Sequence, residues 1–286
     1  MERQKSFAQA EYAQKKKTTR RERFLNEMEQ VVPWARLVAC IKPHYFKGER
    51  GRKPVGIERM LRMYFLQQWY ALADEALEDA LYDSQAMRSF AGIDLGVESV
   101  PDATIIAAPS STKNASKQRD PQMHQTKKGN MWHFGMKAHI GADAESGLVH
   151  TLVGTAANVA DIKCARNLLH GEEKASYADA GYTGIEKREE AVGETAKRTW
   201  YVALKRGKIK KMAEGEIKEV TCRIEKLKAQ VRAKVEHAFH VVKNLFGHRK
   251  ARYRGLKKNT AQLHTLFGLA NLVLAKRVLL VQAHAS

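Results

Sequence analysis

Three charged residues near the C-terminus, Arg232, Glu236 and Lys243, stand four and then seven residues apart. At 3.6 residues per turn they fall at about 0°, 40° and 20° around a helix, so a single stripe carries a carboxylate flanked by two cations. The apolar residues Val235, Ala238, Phe239, Val242, Leu245 and Phe246 fall beside that stripe, over about 220° to 340°. The charged stripe therefore borders the buried face instead of opposing it. A carboxylate at such an edge can reach both a metal ion and a phosphate backbone. Phosphodiester cleavage by two divalent ions about 3.5–4 Å apart needs several carboxylates, and Mg2+, a hard cation, takes oxygen ligands and keeps waters beside them. Glu236 alone is not enough for that chemistry.

Two upstream aspartates are candidate partners. Asp179, in the string YADAGYTG, follows a strand pattern and precedes Gly181, Gly184 and a helix pattern. It is thus expected just past a strand's C-terminal end, where functional groups collect in α/β sheets. Asp102 opens the strand-like string DATIIAA. Taken singly, each residue also fits an ordinary structural role. Asp179 and Asp102, the latter after Pro101, suit turns; Glu236 suits an ion pair with Arg232 one turn back; Lys243 suits a solvated helix face.

The elements that must position these residues can be read from periodicity. Residues 1–100 predict a small helical domain: Ile57, Met60, Leu61, Tyr64, Phe65 and Gln68 repeat at three and four residues, and a second helix starts near Asp74 with Leu77 and Leu81 one turn apart. Lys15 to Lys17, Arg20, Arg21 and Arg23 make the first stretch basic, as a nucleic-acid arm or a solvated helix. Residues 101–283 predict a second domain. Asp102–Ala108 reads as a strand, and Pro109–Asn130 as a polar segment without an apolar run. Trp132–Ile140 alternates as a half-buried strand, followed by a turn over 142–147 and a partner strand over 148–153. A helix capped by Asn158 or Asp161 runs to His170, then come a strand at 175–178, a helix at 185–192, a strand at 199–204 and the long basic helix of Glu236. The order β-β-β-α-β-α-β-α predicts an α/β fold, a mixed sheet with helices packed on it, and is that of an RNase H-like domain.

Composition narrows the partner. The 286 residues carry a net charge of +19, and between Lys205 and Lys258 there are 18 Lys and Arg against 5 Glu and no Asp. That surplus points to a polyanion, most simply nucleic acid. The stacked aromatic motifs of common RNA-binding modules are not apparent. Cys40, Cys164 and Cys222 are far apart, with no CxxC pair, which argues against a disulfide framework and a zinc finger and fits a reducing cytosol. The polar N-terminus does not read as a signal peptide. The apolar stretch Leu263–Ala275 is too short to span a bilayer and reads as a core-facing terminal helix.

The strings DATIIAAPSSTKN, HFGMKAHIGADAESGLVHT, ADAGYTG and RAKVEHAFHVVKNLFG resemble a bacterial insertion-sequence transposase of the DDE class, IS-five group. The resemblance runs over most of the chain, including the N-terminal helices and FAGIDLGVESVPDAT. It implies a catalytic and metal-binding triad of Asp102, Asp179 and Glu236, with Arg232 and Lys243 as phosphate-binding positions. The tyrosine that often stands three residues before that arginine is replaced by Ala229. It implies two Mg2+ ions, with Mn2+ as a substitute, that activate water to nick the element's end, after which the freed 3′-hydroxyl attacks target DNA. It further implies double-stranded DNA partners (terminal inverted repeats and target), a homodimer or higher oligomer on DNA, no membrane, and a cytoplasmic, nucleoid-associated location. In relatives a PDAT-like string closes the helical region and a separate DAT opens the first catalytic strand, with a long segment between; here they are fused as VPDATIIAAP. Pro101 cannot donate to a sheet ladder. An in-frame deletion would leave this chain, so the alternative is a catalytically inactive DNA-binding transposase remnant.

Overall fold

A computed structural model describes residues 18–45, 55–93, 119–171, 173–188 and 198–285. The chain divides into two units, one of residues 1–105 with 276–286 and one of residues 106–275.

The first unit is helical: α1 (Arg20–Val31), α2 (Trp34–Ile41), α3 (Ile57–Tyr70), α4 (Asp74–Asp83) and α5 (Gln85–Ala91). The helices start where local chemistry starts them. Thr19 accepts from the Glu22 N–H while Glu22 reaches back to the Thr19 N–H, a reciprocal cap on α1. Ser84 accepts from the Met87 N–H to open α5, and Gly92, at φ 68°, closes it. Leu25, Met28, Leu66, Trp69, Leu81, Met87 and Phe90 are buried together. Phe65, Trp69 and Phe90 meet with centroids 5.4 and 5.5 Å apart. Arg62 bonds Glu29 and Glu58 and lies 4.2 Å over the Trp34 ring. α3 and α4 cover the two helices predicted from periodicity, and the aromatic residues serve the core.

The second unit holds β1 (His124–Lys128), β2 (Met131–Ala142), β3 (Val149–Ala156), β4 (Ala175–Ala178), β5 (Thr199–Val202), α6 (Arg206–Lys210), α7 (Glu216–His240) and most of α8 (Leu256–Ala285). β1, β2 and β3 form an antiparallel meander, with Ile140 opposite Leu152 and a register shift at Gly141/Ala142. β4 and β5 form a parallel pair, with Tyr177 opposite Tyr201 and their rings stacked at 5.0 Å. Leu152, Ala178, Ile185, Ala238, Val242, Phe246, Leu266 and Phe267 are buried in this unit.

Several expectations need correction. The strand expected at Asp102–Ala108 lies outside the described residues. β1 falls in the polar segment where no strand was expected; its residues HQTKK carry no hydrophobic signal because they line a largely exposed hairpin. The described strands form two sheets, not one mixed sheet. The helix expected between β3 and β4 is replaced by two 3-10 turns, Asp161–Cys164 and Arg166–Leu168. Asp161 does not cap a helix there, because its carboxylate turns to Lys137 and His139. The helix expected at 185–192 begins as a 3-10 turn, Ile185–Lys187, and is ended by extended Arg188, at φ −91° and ψ 131°. The terminal helix is also longer than expected: Leu256–Gln282, 27 residues, contains an 18-residue window with mean hydropathy 1.4, and so has the length and composition to cross a membrane. It nevertheless buries Leu263, Leu266, Phe267, Leu269 and Ala270 against protein.

Candidate active site

Asp179 is the residue immediately after β4. Its extended backbone, at φ −76° and ψ 176°, ends the strand, and its Oδ1 accepts from the Gly181 N–H at 2.9 Å to open the 3-10 turn Ala180–Tyr182. A Cβ on Gly181 would lie 3.0 Å from that same oxygen. The glycine therefore lets the turn fold tightly around the carboxylate, and Oδ2 is left to point elsewhere. Asp179 is exposed.

Glu236 and Arg232 lie on α7, which several long side chains fix in place. Glu225 accepts from the Leu204 N–H just past β5 at 2.9 Å, and Lys228 donates to the Val202 carbonyl at 3.0 Å. Farther along, Lys234 donates to the carbonyls of Ala144 and Glu145 at 2.9 and 2.8 Å. That turn is built by Asp143, whose Oδ1 accepts from Ser146 N–H and Oγ–H and from the Glu145 N–H. These hydrogen bonds, the Ser146 N–H foremost, hold its carboxyl below the usual range. Gly147, at φ 74°, keeps the approach of this turn open, since a Cβ there would lie 3.2 Å from the Lys234 Cβ. α7 is thus tied to both sheets, two turns and one half-turn before Glu236.

Lys243 does not continue the α-helical stripe. From Val241 to Leu245 the chain makes one π-helical turn, closed by the Phe246 N–H donating to the Val241 carbonyl at 2.9 Å. The wider turn changes which residues face inward. Val241, outside the apolar arc of a regular helix, is buried, whereas Leu245 is 52% exposed. Lys243 is carried with its ammonium 5.3 Å from the Phe239 ring centroid, and Phe239 in turn meets Phe267 edge-on at 5.4 Å. No ion pair joins Arg232 to Glu236 among the described residues, so the simple surface-pair role for Glu236 does not hold.

A cleft of about 1800 Å³ within the second unit is lined by Asp179, Arg232, Glu236 and Lys243 together. Asp102 lies outside the described residues. The cleft also contains groups that periodicity did not single out. Asp161 accepts from Lys137 Nζ at 3.1 Å and stands 3.6 Å from His139 Nδ1, while His139 Nε2 meets Thr155 Oγ1 at 2.8 Å. Burial lowers the His139 pKa, against the opposing pull of Asp161. Tyr182 borders both aspartates: burial raises its pKa, and the negative charges of Asp161 and Asp179 raise it further. The loop His248–Arg254 adds Arg249, Lys250, Arg252 and Arg254 to the lining. Its charge was visible in the sequence, but its place was not, because the loop is folded by a distant residue. Buried Asn259 accepts from the N–H groups of Arg252 and Tyr253 and donates to the carbonyls of Tyr253 and Gly255.

The donor set suits a hard divalent cation. Asp179 and Glu236 offer exposed carboxylate oxygens to one cleft, and among the described residues no cysteine lines it. The surrounding cations suit a phosphodiester backbone. The family model described as Transposase DDE domain matches residues 98–272. A second, Transposase domain (DUF772), matches residues 12–108. No solved structure matches this chain.

Proposed function

We propose, for a chain that belongs to the DDE-domain transposase family, that it cleaves the ends of an insertion sequence and joins them to target DNA at the Asp179–Glu236 cleft. The observation that carries this reading is the shared cleft itself: two carboxylates, one just past β4 and one on α7, separated by 57 positions in sequence, line one space with Arg232 and Lys243. Asp179 and Glu236, with Asp102, would hold two Mg2+ ions, or Mn2+ in their place, which would supply activation of water and of the 3′-hydroxyl for in-line attack. Arg232 and Lys243 hold the phosphates. Such charge-assisted contacts fix the register of the backbone without reading sequence. The bases are left to other parts of the chain, and the helical domain, residues 1–100, recognises terminal inverted repeats or joins protomers. The catalytic domain, residues 101–283, takes the RNase H-like arrangement, with the DATIIAA string as its first strand. A homodimer or larger assembly holds the two ends, in the cytoplasm on nucleoid DNA.

A second reading has its own support. The two family matches overlap at residues 98–108, which take in the VPDATIIAA string where a helical-domain ending and a catalytic-strand opening are fused. The overlap favours descent through an internal deletion that leaves DNA binding and removes cleavage. A supercoiled plasmid carrying the element's terminal repeats separates the two. Magnesium-dependent nicking by the wild-type chain supports the enzyme; salt-sensitive binding with no nicking at any Mg2+ or Mn2+ concentration supports the remnant.

A further inference from the structure

The cleft wall carries a second donor set of a different chemical kind. His150, near the start of β3, and His170 and Glu173, in the turn leading to β4, each offer one ligand atom, and these atoms lie within 4.8 Å of one another. The two imidazole rings stand edge to face with centroids 5.0 Å apart. His170 Nε2 is 3.6 Å from Glu173 Oε1. His150 Nδ1 lies 2.8 Å from Thr151 Oγ1, which leaves Nε2 as the ligating nitrogen and gives the ring the outer hydrogen bond that metal-binding histidines use to fix tautomer and orientation.

The third group is held before any ion arrives. Glu173 accepts from the N–H groups of His170 and Gly171 at 2.8 and 2.9 Å and from Arg198 Nη2 at 2.7 Å. Space beside His150 depends on Gly141, where a Cβ would come within 2.8 Å of the ring and 2.3 Å of the Leu168 carbonyl.

We propose that His150, His170 and Glu173 bind one borderline divalent transition ion of the Zn2+ class, through two imidazoles and one carboxylate with a further position open to water. Imidazole nitrogen suits Zn2+, Co2+ and Ni2+ and is a poor ligand for Mg2+. Bonds of about 2.0–2.1 Å around a tetrahedral ion bring ligand atoms to about 3.4 Å apart. The two histidines are exposed, so their side chains can rotate over that remaining distance. An ion held there ties the start of β3 to the turn that enters β4, the strand that ends at Asp179. It is a brace for that strand, separate from the hard-oxygen pair.

The test uses the full-length, tag-free chain, stripped with a chelator and titrated with Co2+ while its visible absorption is followed. One Co2+ per chain is expected, displaced by Zn2+ but not by excess Mg2+, and Zn2+ raises the thermal midpoint. His150→Gln and His170→Gln each lose the absorption band and weaken binding by about 100-fold or more, and Thr151→Val weakens it by about 10-fold. Glu236→Gln keeps the band, so the result does not depend on the proposed cleavage site. Failure of the wild-type chain to bind Co2+ stoichiometrically, or binding unchanged in both histidine variants, overturns the proposal.

Discussion

At the residue scale, the sharpest constraint is on the orientation of Asp179. Because a Cβ on Gly181 would meet Asp179 Oδ1 at 3.0 Å, Gly181→Ala must push the carboxylate or open the turn. Misplacing a reacting group by about 1 Å can cost about 100-fold in rate, and the shift needed here is a few tenths of an ångström, so this variant should slow nicking several-fold while its denaturation midpoint changes little. The glycine's identity was visible in ADAGYTG, but not the contact that explains it. Asp161 was visible only as a cap, because its partners Lys137 and His139 come from β2, 24 and 22 positions away. Buried His139 and half-buried His248 make stability pH-dependent. Burial holds the His139 pKa below 6.5, and burial with nearby Arg252 holds His248 down at about 4. Both therefore bind a proton less readily when folded than when unfolded. Their stabilising contribution is complete above about pH 6.5 and falls as the pH drops toward 4. The urea midpoint should fall between pH 7 and pH 5, and His248→Gln should flatten that fall.

At the element scale, the sequence revealed α7 because its charges and apolar residues repeat regularly, and it revealed β2 and β3 by alternation. The π turn after His240 left no such mark. A regular helix and a helix with one wider turn share the same composition, and only the exchange of Val241 for Leu245 in the interior distinguishes them. The segment from Asp161 to Leu168 shows the converse. Its helix-like pattern is overridden by Asp161's ties to β2, and two 3-10 turns result. The basic loop His248–Arg254 depends on α8 through Asn259. Asn259→Ala removes the hydrogen bonds that this side chain makes to the half-buried Arg252 N–H and Gly255 carbonyl, at about 1 kcal/mol for each bond. Urea denaturation should show a loss of that order, and filter binding should show weaker DNA affinity, since Arg252 and Arg254 lose a fixed place in the cleft.

At the scale of the whole molecule, the net charge of +19 makes DNA binding strongly dependent on salt. For a protein contacting about 6–10 phosphates, log K falls linearly with log salt at about 0.9 per phosphate. Lys243→Ala should weaken binding uniformly across sequences and reduce the slope by about 1. Composition gave the polyanion directly, and local strings gave the carboxylates. The strand pairing that brings β4 beside α7 was not encoded locally, since it rests on contacts such as Glu225 to Leu204 and Lys234 to the β2–β3 turn. The most direct test compares the rate of Mg2+-dependent nicking of end-bearing plasmid by the wild-type chain with those of Asp179→Asn and Glu236→Gln, at matched DNA occupancy. Cleavage by Asp179 and Glu236 predicts nicking by the wild type that drops to background in both variants while DNA binding persists; nicking at an unchanged rate in Glu236→Gln would contradict it.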